Sequence, residues 1–66
     1  MTREELIFEV TESMCKGGGV GDIDYATLIV DRLLSKSLNE KQVNEVLNNL
    51  SKGRGVQNTL ILIESF

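Results

Sequence analysis

A chain of 66 residues with a net charge of −3, one cysteine and no histidine is long enough for a single domain only, and we interpret residues 1–66 as that domain. A chain of this length buries only about 60% of the surface that its unfolded form exposes. Small domains therefore often depend on disulfides, a structural metal or self-association. A lone cysteine forms no disulfide within the chain, and without histidine there is no set of soft ligands for zinc. We expect no metal and no cofactor, and self-association remains.

The same composition bears on partners and location. A net negative charge disfavours nucleic acid and anionic membranes as partners. The N-terminal segment lacks the basic start and long apolar stretch of a signal peptide, and no apolar run approaches the roughly 20 residues that span a bilayer. The hydrophobic fraction of 41% is that of a folded globular domain. We therefore predict a folded cytoplasmic protein with no membrane association.

A first helix is predicted to begin at Thr2, because Thr2 followed by Glu5 forms a capping box. Gly17–Gly19 ends this helix, since glycine adopts the positive φ angles of a helix C-cap without steric penalty. Phe8 lies off the apolar stripe of the helix. The stripe itself recurs at helical spacing and consists of Leu6, Ile7, Val10 and Met14.

A second helix is predicted from about Tyr25 to Leu34, with Asp22 or Asp24 as its N-cap. Its apolar residues cover more than one stripe, which is typical of a helix that is central or lies in an oligomer interface. Because so short a chain has little interior, we expect the interface. The residues concerned are Ala26, Leu28, Ile29, Val30, Leu33 and Leu34.

A third helix is predicted to begin after Asn39 as N-cap and to end at Lys52–Gly55. The last segment, Asn58 to Phe66, contains the apolar run Leu60–Ile63, and periodicity alone does not separate a short buried helix from a strand. We predict a helix. The fold class is then all-α, a small bundle of three to four short helices. The alternative is an α+β fold whose C-terminal strand pairs across a dimer.

The two glycine-containing stretches echo one another. Lys16–Val20 reads K-G-G-G-V and Lys52–Val56 reads K-G-R-G-V, at an offset of 36 (52 − 16). The helices that precede them align at the same offset, with Val10 on Val46. The pattern favours a duplicated unit of helix, glycine loop and helix.

Glycine-rich loops can also cradle a phosphate with their backbone N–H groups. Neither stretch matches the P-loop pattern or follows a clear strand, so helix termination is the preferred interpretation. The residues of the alternative, an anion site, are Lys16, Gly18, Gly19, Lys52, Gly53, Arg54 and Gly55.

The chain offers little for catalysis, and we predict that it is not an enzyme. It has no histidine for general base chemistry, and Cys15 has no neighbour in sequence that would take its proton. Apolar and aromatic residues outside the helical stripes or in apolar runs are instead candidates for a protein interface. These candidates are Phe8, Ile29, Leu33, Ile61 and Phe66.

The sequence therefore favours a small non-enzymatic binding or regulatory protein that acts through protein–protein interaction. We expect a homo-oligomer with an inhibitor-like or adaptor-like role, and another protein as its partner. The alternative is a binder of a phosphorylated small molecule or nucleotide that uses both glycine-rich loops.

Overall fold

A computed structural model describes residues 2–66 and contains four α-helices. They are α1 (Arg3–Lys16), α2 (Ile23–Ser35), α3 (Glu40–Ser51) and α4 (Gly55–Ser65). No strand occurs among these 65 residues (66 − 1). The predicted all-α bundle is confirmed, and the alternative with a C-terminal strand is not supported. The last helix begins at Gly55, three residues before the predicted Asn58 (58 − 55).

Three of the four helices begin at a side-chain cap. The Thr2 hydroxyl accepts a hydrogen bond from the Glu5 N–H at 3.1 Å, and the Glu5 carboxylate accepts one from the Thr2 N–H at 3.1 Å. Asn39 and Gln42 form the same reciprocal pair at the start of α3, at 2.8 and 3.0 Å. Asp22 caps α2. The predicted caps Thr2, Asn39 and Asp22 are therefore confirmed, and each satisfies backbone donors that a helix leaves free at its start.

The helices pack as two helix–loop–helix units. The first unit is α1 with α2 and the second is α3 with α4; between the units, α1 packs against α3 and α2 packs against α4. Each helix therefore has two close neighbours. This arrangement matches the unit of helix, glycine loop and helix that the sequence echo predicts.

Equivalent residues of the two units share the core. Val10 and Val46 are both fully buried, at the offset of 36 that the echo gives. In the second helix of each unit the offset falls to 33, as in Val30 and Ile63 (63 − 30), which are also fully buried. The cause is loop length, because six residues (17–22) join α1 to α2 and only three (52–54) join α3 to α4. The buried apolar core consists of Leu6, Val10, Met14, Ala26, Ile29, Val30, Leu33, Val46, Leu50 and Ile63.

The expectation that α2 lies in an oligomer interface because the monomer cannot bury it is wrong for its main apolar stripe. Ile29 and Leu33 are 0% and 2% exposed within the single chain. The four short helices together enclose a core that is large enough to bury this stripe. Leu28 and Leu34, on other sides of α2, remain exposed.

The buried polar groups are satisfied. Thr59 of α4 is fully buried, and its hydroxyl donates a hydrogen bond to the Gly55 carbonyl at 2.8 Å. The same hydroxyl accepts one from the Asn49 side-chain amide of α3 at 3.1 Å. Within residues 2–66 no buried side-chain nitrogen or oxygen lacks a partner, as expected of a stable interior. None of the four helices combines the length and the apolar character needed to cross a bilayer.

Candidate functional site

The first glycine loop (residues 17–22) and the second glycine loop (residues 52–54) end α1 and α3 in the same way. Gly18 and Gly53 have positive φ angles of 84° and 76°. The next residue in each case donates its N–H to a carbonyl five residues back, Gly19 to Met14 at 3.0 Å and Arg54 to Asn49 at 3.4 Å. This is the Schellman arrangement of a helix C-terminus. The prediction that glycine terminates these helices is confirmed.

The two loops also touch one another. A Cβ atom added to Gly17 would collide with the Leu50 carbonyl oxygen and lie 2.9 Å from the Gly53 nitrogen. A Cβ atom on Gly53 would lie 2.8 Å from the Gly17 carbonyl oxygen. Only residues without a side chain fit at this contact. The glycines therefore join the two units as well as ending their helices.

A cleft of about 450 Å³ opens between the loops at this end of the bundle. Most of its walls are aliphatic side chains or glycine backbone, and its only charged side chain is Asp22. The cleft brings together three of the predicted anion-site residues, Gly19, Gly53 and Gly55. The full lining is Met14, Gly17, Gly19, Val20, Asp22, Tyr25, Leu50, Gly53, Gly55 and Val56.

The basic residues of the predicted anion site lie elsewhere. Lys52 and Arg54 line a separate shallow groove between α3 and α4, together with Glu45. Lys16 is exposed and contributes to neither lining. The sequence places these cations next to the glycines in the chain, but the helix ends direct them away from the cleft. The structure therefore does not assemble the predicted combination of glycine backbone and basic side chains.

The two helices that leave the loops start differently. One oxygen of the Asp22 carboxylate accepts hydrogen bonds from the backbone N–H groups of Asp24 at 2.8 Å and Tyr25 at 3.4 Å. This holds the carboxylate at the edge of the cleft. At the start of α4, Arg54 occupies the N-cap position and makes no side-chain hydrogen bond to the helix.

The five predicted interface residues fall into three groups. Ile29 and Leu33 belong to the core, so their assignment to a surface interface is corrected. Phe66 is partly buried and packs against the core. Phe8 and Ile61 are exposed, at 62% and 59%. Each lies on the side of its helix that faces away from the buried residues.

Ile61 belongs to an apolar surface that we call the α2–α4 face, made of Tyr25, Leu28, Leu60 and Ile61. Leu60 and Ile61 line a shallow groove that also contains Arg32 of α2. Leu28 and Tyr25 precede Arg32 by one and two turns on α2, so they continue the same side of that helix. Leu28 is among the residues of α2 that the sequence places in an interface, together with residues that are buried, and Tyr25 is not among them. The apolar pattern of α2 did not distinguish its buried side from this exposed one.

The face is bordered by an ion pair. Arg32 of α2 lies 3.2 Å from the Glu64 carboxylate of α4, and both side chains are more than half exposed. Pairs of this kind contribute little to stability. Glu64 is the only charged residue of α4.

Phe8 has a different setting. Glu4 and Glu12 lie one turn before and after it on α1, and Glu9 is adjacent in sequence. All three carboxylates are exposed. A hydrogen bond from the Thr2 backbone lowers the pKa of Glu5, which keeps that carboxylate ionised to lower pH. Phe8 is therefore a single aromatic side chain on an acidic surface.

The remaining groups that could support chemistry are dispersed. Cys15 is a free thiol on the exposed side of α1. Over the described residues 2–66, no three histidine, cysteine, aspartate or glutamate side chains are grouped so as to hold a metal ion. Comparison of the chain with protein-family models, with curated proteins and with solved structures finds no match.

Proposed function

We propose that the protein is a non-catalytic, cytoplasmic binding protein of the inhibitor or adaptor type, which acts by protein–protein interaction and self-associates through the α2–α4 face. The observation that carries the proposal is Ile61, a large aliphatic side chain 59% exposed on a helix with a single charged residue. Removing such a side chain from water lowers the free energy, which favours its burial against another protein surface.

The charge distribution supports this choice of surface. α4 has one charged residue among eleven, whereas α1 has six among fourteen, namely Arg3, Glu4, Glu5, Glu9, Glu12 and Lys16. The centres of protein interfaces are depleted in charged residues, because desolvating a charge is costly. A surface rich in carboxylates is by the same argument a poor place for two copies to meet.

A symmetric dimer is the simplest assembly that this face allows. In a two-fold dimer the same patch serves both subunits, so Ile61 would lie near the axis and meet its counterpart. The exposed Arg32 and Glu64 would then border the apolar centre, where charged groups are tolerated at the rim. A further protein partner would use the same face or compete for it.

The test is sedimentation velocity of wild type, Ile61→Asp and Phe8→Asp at micromolar concentration. The two variants make a matched pair, because each places a carboxylate at a similarly exposed apolar position on a helix side away from the core. We expect wild type to sediment as a dimer or larger assembly, Ile61→Asp as a monomer and Phe8→Asp like wild type. Circular dichroism of both variants should show unchanged helix content.

A monomeric wild type would contradict self-association. Dissociation by Phe8→Asp rather than Ile61→Asp would move the interface to α1 and reject the α2–α4 face.

The alternative function, binding of a phosphorylated small molecule or nucleotide, is supported by the convergence of both glycine loops on one cleft. Two features oppose it: the cleft walls carry no basic side chain, and Asp22 would repel a phosphate. Calorimetric titration with nucleotides and cyclic nucleotides should therefore give no binding heat. Saturable binding that is lost in a Lys52→Ala, Arg54→Ala double variant would favour the alternative instead.

A further inference from the structure

We infer that the cleft between the two glycine loops is a binding site for a small molecule with an apolar body and one amine group. The inference does not require self-association, because the cleft is formed within a single chain, and Tyr25 is the one lining residue that it shares with the α2–α4 face. It rests on the size of the cleft, on the chemistry of its walls and on the fixed carboxylate at its edge.

The size fits a small organic molecule. Ligand sites in proteins usually enclose about 300 to 1,000 Å³ and are lined mainly by apolar side chains. The cleft measures about 450 Å³. Gly17, Gly19 and Gly53 of the two loops border it without side chains, while Val20 and Asp22 of the first loop add side chains to its lining.

The walls select an apolar body. Met14 and Leu50 come from the ends of α1 and α3, and Val56 comes from the first turn of α4. Tyr25 of α2 adds an aromatic ring. Met14 and Leu50 are nearly buried, so the apolar surface that a ligand would cover belongs mainly to Tyr25 and Val56. Removing such surface from water is favourable by roughly 25 cal/mol per Å².

Asp22 selects the polar group. One of its carboxylate oxygens is held by the N–H groups of Asp24 and Tyr25, while the other has no hydrogen-bond partner among the described residues. A fixed carboxylate with a free oxygen accepts a charge-assisted hydrogen bond from an ammonium group. The start of α4, which has no side-chain cap, borders the same cleft and favours negative charge. A positively and a negatively charged ligand are therefore compared below.

The base of the cleft is rigid. The contact between Gly17 and Gly53 leaves no room for a side chain, and each loop is fixed by backbone hydrogen bonds to the helix before it. A ligand would enter a preformed space, which avoids the free-energy cost of ordering a loop on binding.

The test uses three probes with one aromatic ring each: 2-phenylethylamine, 2-phenylethanol and 3-phenylpropionate. Each is titrated into ¹⁵N-labelled protein while the amide signals of Gly19, Gly53 and Gly55 are followed. We expect the amine to bind with a Kd on the order of 1 mM, as is usual for so few atoms. The alcohol should bind about tenfold more weakly, and the carboxylate should not saturate.

Two matched variants locate the contacts. Asp22→Asn keeps an N-cap residue but removes the charge, so it should weaken the amine about tenfold and leave the alcohol unchanged. Asp24→Asn changes a neighbouring carboxylate that does not line the cleft and should leave both unchanged. Val20→Trp, at a position that is exposed and borders the cleft, should block all binding without unfolding the chain.

Three results would overturn the inference. They are an amine titration that shifts no cleft amide, a carboxylate that binds as well as the amine, and an amine that binds equally well to wild type and Asp22→Asn. None of them bears on the oligomeric state, which sedimentation measures separately.

Discussion

The first unit, α1 with α2, and the second unit, α3 with α4, share a core and the way their first helices begin and end, and differ in loop length and surface charge. Val10 and Val46 occupy equivalent buried positions in the two units, and α1 and α3 both end in the same glycine arrangement. The loops differ in length, and of the two helices that follow them only α2 has a side-chain cap. α1 has six charged residues and α4 has one. Core packing therefore constrains both units alike, whereas their surfaces and loops differ.

The outward sides of α1 and α4 show this divergence most clearly. Phe8 and Ile61 are almost equally exposed, so exposure alone does not separate them. Their neighbours do, since Phe8 lies among the exposed carboxylates of α1, whereas the groove that Ile61 lines contains no charged residues other than the paired Arg32 and Glu64. An exposed apolar residue indicates an interface when the surface around it also carries few charged residues.

The largest effect is expected where the two units touch. Gly17→Ala and Gly53→Ala each press a methyl group against backbone of the other loop, and we expect a loss of about 3 kcal/mol in the free energy of unfolding. Gly18→Ala is the control for Gly53→Ala, because Gly18 has positive φ like Gly53 but open space around it. Its cost should be about 1 kcal/mol. Gly17 has a φ of −78°, so the loss in Gly17→Ala would come from the contact alone. Urea denaturation measures all three, and equal losses would show that the contact between the loops is unimportant.

The second prediction tests whether the shared core positions are equivalent. Val10→Ala and Val46→Ala each remove two buried methyl groups and leave a cavity, so each should cost about 2 kcal/mol. Thermal denaturation of the two variants should give similar shifts in Tm. If the two losses in the free energy of unfolding differ by more than about 1 kcal/mol, the two positions are not equivalent in the core.

The third prediction concerns the start of the second helix in each unit, where only the first unit has a side-chain cap. Asp22→Ala removes the acceptor for two backbone N–H groups and should cost about 1 kcal/mol. Arg54→Ala changes the corresponding position before α4, which makes no cap hydrogen bond, and should stay within about 0.5 kcal/mol. Chemical denaturation distinguishes them. A larger loss for Arg54→Ala would show a role for that side chain that the helix start does not reveal.

The smallest effect is a difference in pH dependence between the two capping boxes. The pKa of Glu5 is lowered by its hydrogen bonds with Thr2, whereas the equivalent box of Asn39 and Gln42 does not titrate. The Glu5 contribution is thus fully present above its unfolded-state pKa and is lost as pH falls through its folded-state pKa. Glu5→Gln should remove this part of the acid dependence of Tm. An identical pH profile for wild type and variant would contradict it.

The sequence predicted those features that depend on local chemistry. Thr2, Asp22 and Asn39 are caps, and glycines end α1 and α3, because each of these needs only a few neighbouring residues. The fate of Ile29 and Leu33 was predicted wrongly, since burial depends on how four helices pack and not on one helix alone. The residues of the predicted anion site are not all brought together, for a related reason: Lys52 and Arg54 are adjacent to glycine in the chain but line a separate groove. The cleft itself arises from contact between residues far apart in sequence, which no local pattern reveals.

The most direct test of the account is a dilution series of ¹⁵N-labelled wild-type protein from millimolar to micromolar concentration, followed by amide chemical shifts. No variant is needed, and every exposed surface is observed at once. We expect concentration-dependent shifts at Leu28, Leu60 and Ile61, with the amides around Phe8 unchanged. Shifts confined to α1, or spectra that do not change with concentration while sedimentation reports a monomer, would contradict the proposal that the α2–α4 face is where this protein binds.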